Sequence, residues 1–261
     1  MQPCSSLLMA HHRATYAEIN LDAFRHNIQT IRKTLQPGVG IMAVVKADAY
    51  GHGAVPCAQA ALEAGADYLG IGIIEEGIQL RENGITAPIL VLGSFFTEEA
   101  RDLVHFNLVP TLCTQRQAQA ISEHAKASGK PLKVHIKIDT GMTRLGVQPD
   151  QFLSLVDFVL QCKNIEIEAV STHFSSADEE DPEFTLHQLN LFSNALKQMK
   201  KTGIQVPLIH TANSAAILKY PESHFNMVRP GLLLYGALPS PNLKASAEAL
   251  AERNKGKGFI P

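Results

Sequence analysis

The chain has 261 residues, 45% of them hydrophobic and 18% charged, with a formal net charge of −2. That length suits one large α/β unit or two small ones with an ample core, and the charge balance excludes bulk attraction to nucleic acid or to an anionic membrane. Cys4, Cys57, Cys113 and Cys162 are scattered, without a C-x-x-C pair, and read as reduced thiols; the N-terminal MQPCSSLLMAHHR lacks the flanks of a signal peptide, and no apolar run spans a bilayer, so a cytoplasmic location is expected.

Residues 1–14 read as an extension. Thr15–Leu21 reads as an opening strand. Asn20 or Asp22 then caps a helix to about Leu35, with Ala23, Ile28, Ile31 and Leu35 at helical spacing, and Pro37-Gly38 stops it. Ile41–Val45 is an apolar run without alternation, the pattern of a strand buried on both faces. Further strands are expected at Tyr68–Ile71, Ile89–Leu92, Leu108–Thr111, Lys133–Ile138, Ile167–Thr172, Val206–His210 and Asn226–Val228. Helical patterns lie between them, among them Ala54–Ala64, Glu98–His105, Gln115–Ser128, Pro149–Cys162 and Pro182–Thr202.

Eight such repeats over 15–243 predict an α/β fold of the closed (β/α)8 type, a TIM-like barrel. A doubly wound open sheet is the alternative, since periodicity does not establish closure. Residues 244–261 form a divergent tail: Lys244–Arg253 can make a short helix, ended by Asn254–Gly258, and the segment holds too little apolar material for a second domain. A loosely held end is expected there.

In a barrel, chemistry sits where strands end and loops begin. AVVKADAYGHG places Lys46 directly after a buried strand, with Gly51 and Gly53 allowing a tight turn. An amine partly withdrawn from water at that position has a lowered pKa and can attack an aldehyde to form a Schiff base. Most single lysines are solvated surface residues, so the reading needs support. It comes from Thr211-Ala212-Asn213-Ser214 after the seventh strand and Val228-Arg229-Pro230-Gly231-Leu232 after the eighth, the usual phosphate-binding loops of such barrels. Each is an ordinary turn when taken alone. A lysine at strand 1 and a phosphate cradle at strands 7 and 8 are neighbours in a closed ring, and together they describe a phosphorylated aldehyde cofactor held by lysine, pyridoxal 5'-phosphate.

AVVKADAYGHG, KIDTGMTRLG, STHFSSAD, HTANSAA and MVRPGLLLYG stand in the order found in the alanine racemases of the fold-type III pyridoxal-phosphate enzymes, and the chain resembles that family from about Ala14 to Leu243. The resemblance implies that Lys46 holds the cofactor and acts as the base toward the α-proton of D-alanine. It implies that Tyr50, Ser214 and the amides of Gly231 and Leu232 lie at the phosphate, that His173 lies against the pyridine ring, and that Asn213 fixes the groups around it. Arg229 would bond the pyridine nitrogen, and Arg144 would meet the cofactor or the substrate carboxylate. Lys137 stands where some members carry a carbamylated lysine that orients that arginine. Asp139 is an alternative ion-pair partner for Arg144, and no metal site is expected in the acidic stretch after His173.

A guanidinium does not give its proton to the ring, so the ring stays a weaker electron sink, and proton removal and return at Cα are favoured over transamination. The implied activity is two-base interconversion of L-alanine and D-alanine, which supplies D-alanine for peptidoglycan. Family members carry a second, β-rich domain whose tyrosine serves as the other base in the partner subunit of a homodimer. Tyr16, Tyr50, Tyr68, Tyr220 and Tyr235 all fall in the barrel portion. The expectation is a barrel without that second domain, with little racemase activity alone and an incomplete dimer. The alternative is a single-domain protein that carries pyridoxal phosphate without racemising anything.

Overall fold

The protein is described by a computed structural model covering residues 15–129, 131–253 and 258–261. The expected extension 1–14, Cys4 and, of the helix stop expected at Asn254–Gly258, residues 254–257 lie outside those residues. Eight parallel strands close a barrel in sequence order. They are β1 (Gly40–Val44), β2 (Tyr68–Ile71), β3 (Ile89–Val91), β4 (Val109–Leu112), β5 (Leu132–Lys137), β6 (Ile165–Ser171), β7 (Leu208–His210) and β8 (Met227–Val228). The ring is sealed where Ile41 pairs with Val228, and β1 pairs on its other side with β2 through Val44 and Gly70. Closure decides between the two sheet types left open by periodicity.

Around the barrel run α1 (Leu21–Thr34), α2 (Lys46–Gly51), α3 (Ala54–Glu63), α4 (Ile74–Glu82), α5 (Ala100–His105), α6 (Gln115–Ser128), α7 (Phe152–Gln161), α8 (Glu183–Lys201), α9 (Ser214–Lys219) and α10 (Lys244–Arg253). Their apolar faces bury against the outer face of the sheet, with Ile28, Ile31, Phe152 and Phe192 fully enclosed. Inside the barrel, Met42, Tyr68, Leu90, Val109 and Met227 form a separate, smaller cluster.

The opening strand does not form. Residues 15–20 are exposed and irregular, and the chain enters α1 at Leu21, where the Asn20 side-chain oxygen accepts from the Asp22 and Ala23 amides at 3.0 Å. Both edges of β1 are taken by β2 and β8, so the closed ring offers no ladder to an extra strand. The end of the chain is tied where a loose end was expected. The Ile260 amide donates to the Asn27 side-chain oxygen at 2.8 Å, and Asn27 Nδ2 donates to the Ile260 carbonyl at 2.7 Å.

The element after Lys46 is the unusual one. Ala47, Asp48, Ala49 and Tyr50 all have φ between 51° and 54°, so α2 is a left-handed turn. Such a conformation costs L-residues roughly 1–2 kcal/mol each. Local bonds offset the cost: the Ala47 amide donates to Glu76 Oε1 at 2.6 Å, Ala49 to the Val45 carbonyl at 2.9 Å, and Ala54 to Asp48 Oδ1 at 2.7 Å. The turn swings Tyr50 back over the Lys46 amine, which lies 5.9 Å from the ring centroid.

Candidate active site

At the C-terminal end of the strands is a cavity of about 300 Å³. Lys46, Tyr50, Lys137, Arg144, His173, Asn213, Ser214, Arg229, Gly231 and Leu232 all line it. The fold thus brings together every site residue read from the sequence.

Lys46 is half-buried at the end of β1. Burial, and then the nearby Arg144 guanidinium, hold its amine below the ordinary lysine range, while Glu76 pulls the other way. Glu76 also fixes the backbone on either side of the pocket wall, its second oxygen accepting from the Gly72 amide at 2.7 Å. Tyr50 packs on Tyr235 with ring centroids 5.1 Å apart, and the Tyr235 hydroxyl donates to the Val44 carbonyl at 3.0 Å. The tyrosine over the lysine is therefore backed by a second ring anchored to β1.

Across the seam, Asn213 caps α9, its side-chain oxygen accepting from the Ala216 amide at 3.0 Å. Ser214 Oγ accepts from the Gly231 amide at 2.9 Å and the Leu233 amide at 3.3 Å, which binds the two loops into one wall. The Gly231 amide thus points at a hydroxyl here, not at open cavity. Gly231 also allows a close approach: a Cβ on it would stand 2.8 Å from the Tyr50 hydroxyl.

Arg229 is buried, and burial pushes its guanidinium down to about 10. Its Nη1 donates to His210 Nδ1 and to the His210 carbonyl, both at 2.7 Å. Its Nη2 donates to the Thr172 carbonyl at 2.8 Å and the Thr211 carbonyl at 3.1 Å, with His173 Nδ1 at 3.2 Å. His173 is held neutral, first by burial and then by the Arg229 charge. Lys137 is buried as well, and burial, with Arg229 and Arg144, brings its amine down to about 8. Asp139 does not serve Arg144: its Oδ1 accepts from the Gly141 and Thr143 amides at 3.0 Å, shaping the loop that carries the arginine.

Below Arg229, a polar column runs down the barrel that the sequence reading missed. His210 Nε2 lies 2.9 Å from His135 Nδ1, and His135 Nε2 lies 3.1 Å from Glu168 Oε2. Glu168 also accepts from the Tyr68 hydroxyl and from Lys133 Nζ, each at 2.7 Å. Burial alone would raise this carboxyl, but the bonds from His135, Lys133 and Tyr68 hold it at about 2. A signal was present: in Leu132–Lys137 the polar residues Lys133, His135 and Lys137 alternate with apolar ones, which puts three polar side chains on the inner face of a barrel strand.

Residues 19–239 match the family model described as alanine racemase, N-terminal domain. A protein of Desulfovibrio desulfuricans named alanine racemase is 43% identical over 233 residues, covering 89% of this chain and 63% of its own length. One of Treponema denticola with the same name is 44% identical, covering 89% and 62%. Among solved structures, alanine racemase of Clostridium difficile 630 in complex with cycloserine superposes with a TM-score of 0.87 at 40% identity, over 90% of this chain and 65% of that one. Alanine racemase of Bacillus anthracis with bound L-Ala-P gives 0.84 at 35% identity, over 90% and 61%. The chain thus spans a little under two thirds of the length of these relatives.

Proposed function

The chain belongs to the family of alanine racemase N-terminal domains, and from that premise we propose that it binds pyridoxal 5'-phosphate through Lys46 and serves the interconversion of L-alanine and D-alanine. The observation that carries this reading is the meeting, in one cavity, of an amine of lowered basicity at the end of β1 with a buried guanidinium just past β8. The lining suits the cofactor's parts. Lys46 is the nucleophile for an aldehyde, the Tyr50 and Ser214 hydroxyls beside the close backbone at Gly231 suit a phosphate, and Arg229 suits a ring nitrogen that stays unprotonated.

Bound there, the cofactor supplies the electron sink for removal of an amino acid's α-proton. The chain's residues do the rest. Lys46 takes and returns the proton on the face of D-alanine. Tyr50, packed on Tyr235, walls the lysine from solvent. Arg144, at the cavity rim, is the cation available to a substrate carboxylate. Lys137, with an amine near 8 between two guanidiniums, is suited to carbamylation, which would turn a third cation into their anionic partner. Under this reading D-alanine goes to peptidoglycan and the protein works in the cytoplasm.

The test separates cofactor binding from turnover. Borohydride should fix pyridoxal phosphate on the Lys46 peptide, and Lys46→Ala should lose the adduct. In deuterated water, the α-proton of D-alanine should exchange in the wild type and not in Lys46→Ala. An adduct that survives Lys46→Ala refutes the assignment.

A further inference from the structure

The polar column below Arg229 has only one consistent arrangement of protons. Guanidinium N–H groups only donate, so the 2.7 Å contact from Arg229 Nη1 makes His210 Nδ1 an acceptor and puts that ring's proton on Nε2. His210 Nε2 then donates to His135 Nδ1 at 2.9 Å, and the His135 proton must sit on its own Nε2, 3.1 Å from Glu168 Oε2. A carboxylate only accepts, so starting from Glu168 gives the same assignment. Both rings are fully buried, and burial keeps both neutral.

We propose that Glu168 and His135 are positioning residues for Arg229, acting through His210: the one-way donor chain Arg229→His210→His135→Glu168 fixes the His210 ring and holds the guanidinium in the pose that presents its Nε–H to a ligand. Among the described residues, no acceptor is bonded to that Nε–H, while both terminal nitrogens are committed to His210, Thr172, Thr211 and His173. If the His210 proton moved to Nδ1, two donors would face each other where one bond now stands, and the guanidinium would have to shift. Glu168 is built to prevent this. Lys133 holds one of its oxygens and Tyr68 the other, so the oxygen that meets His135 cannot rotate away. No ion pair to Arg229 is present among the described residues; Lys133 and Tyr68 face the lower end of the chain, and Lys137, Arg144 and His173 face the upper. The column thus links the floor of the barrel to the group above it.

Only the identity of the ligand at Arg229 rests on the pyridoxal-phosphate reading, and two measurements keep the questions apart. The first uses cofactor-free protein with 15N-labelled histidine. His135 and His210 should both show the Nε2–H tautomer, unchanged between about pH 6 and about pH 9, where an ordinary histidine titrates or is fully neutral. A proton on Nδ1 of His210 overturns the proposal without any variant.

The second compares apparent Kd values for pyridoxal 5'-phosphate and for its analogue with carbon in place of the ring nitrogen. Wild type should prefer the nitrogen compound by about tenfold or more, the effect of one hydrogen bond from a charged donor. Glu168→Leu should cut that preference to about twofold or less, whereas Glu168→Gln, which keeps an oxygen for His135, should retain most of it. A simple packing defect would weaken both ligands equally and leave the preference intact, and that result overturns the proposal. If Glu168→Leu does not fold, His135→Leu breaks the chain one link higher and carries the same expectation. If wild type binds neither compound, the cofactor reading fails, and the histidine tautomers still decide the chain.

Discussion

Lys137→Met replaces a buried amine by an apolar side chain of similar length, and its effect follows from the amine's environment. An ordinary lysine titrates near 10.5; burial, then Arg229 and Arg144, bring Lys137 down to about 8. Below about pH 8, folded and unfolded chains both carry the charge, and the folded state bears the whole penalty, about 3 kcal/mol for a shift of this size. Between about pH 8 and about pH 10.5, the folded chain has released the proton and the unfolded chain has not. The unfolded state then binds more protons, so this residue's contribution to stability rises with pH, and the penalty is gone above the unfolded value. In carbonate-free buffer, urea unfolding should therefore show Lys137→Met more stable than wild type by up to about 3 kcal/mol at pH 7, with the gap closing toward pH 10.5. A gap that stays constant from pH 7 to pH 10.5 would refute the reasoning, because the loss of a titrating cation cannot produce it. Adding 13C-bicarbonate near pH 8 should raise wild-type stability and give a carbamate signal that Lys137→Met lacks.

Phe192, on α8, is fully enclosed and packs on Phe225 with ring centroids 5.7 Å apart, so Phe192→Ala should cost about 3–5 kcal/mol in urea unfolding. It lies outside the cavity, and borohydride fixation on Lys46 should persist in the variant under native conditions. Asn20→Ala removes the acceptor for two α1 amides and should cost about 1 kcal/mol. Backbone amides of residues 15–20 should exchange with solvent far faster than those of β1 in the same sample; protection equal to that of β1 would show that a strand forms there after all.

The barrel strands were legible because each is a short apolar run set off by turns, and a parallel strand covered on both faces has no alternation to blur it. β2 falls on the residues expected, and the others differ from expectation by at most two at either end. Residues 15–21 misled for a physical reason. Their composition suits a strand, but a strand needs an open edge, and whether an edge is open depends on residues two hundred positions away. The left-handed turn after Lys46 was only half visible: Gly51 and Gly53 do take positive φ, as tight backbone requires, yet so do the four residues before them, Ala47, Asp48, Ala49 and Tyr50, none of them glycine. One of the bonds that offsets their cost comes from Glu76, in the next repeat. The site residues were found through motifs. In the column, His210 opens the HTANSAA motif, but His135 and Glu168 lie in none, and only folding brings the three from three strands into line.

The seam between β1 and β8 has a consequence for how the protein is made. Lys46 leaves the ribosome well before Arg229, which shares its cavity. Their meeting depends on the pairing of Ile41 in β1 with Val228 in β8, a contact between residues far apart in sequence, the kind that forms slowly because so much polymer must be ordered first. Until then the nascent sheet has two raw edges, at β1 and at whichever strand was made most recently, and both can recruit strands from other molecules. A ligand that touches residues on both sides of the seam binds only the closed ring, so it draws the population toward closure in proportion to its concentration. Cells short of such a ligand during synthesis should therefore yield less soluble protein, even though no residue has changed.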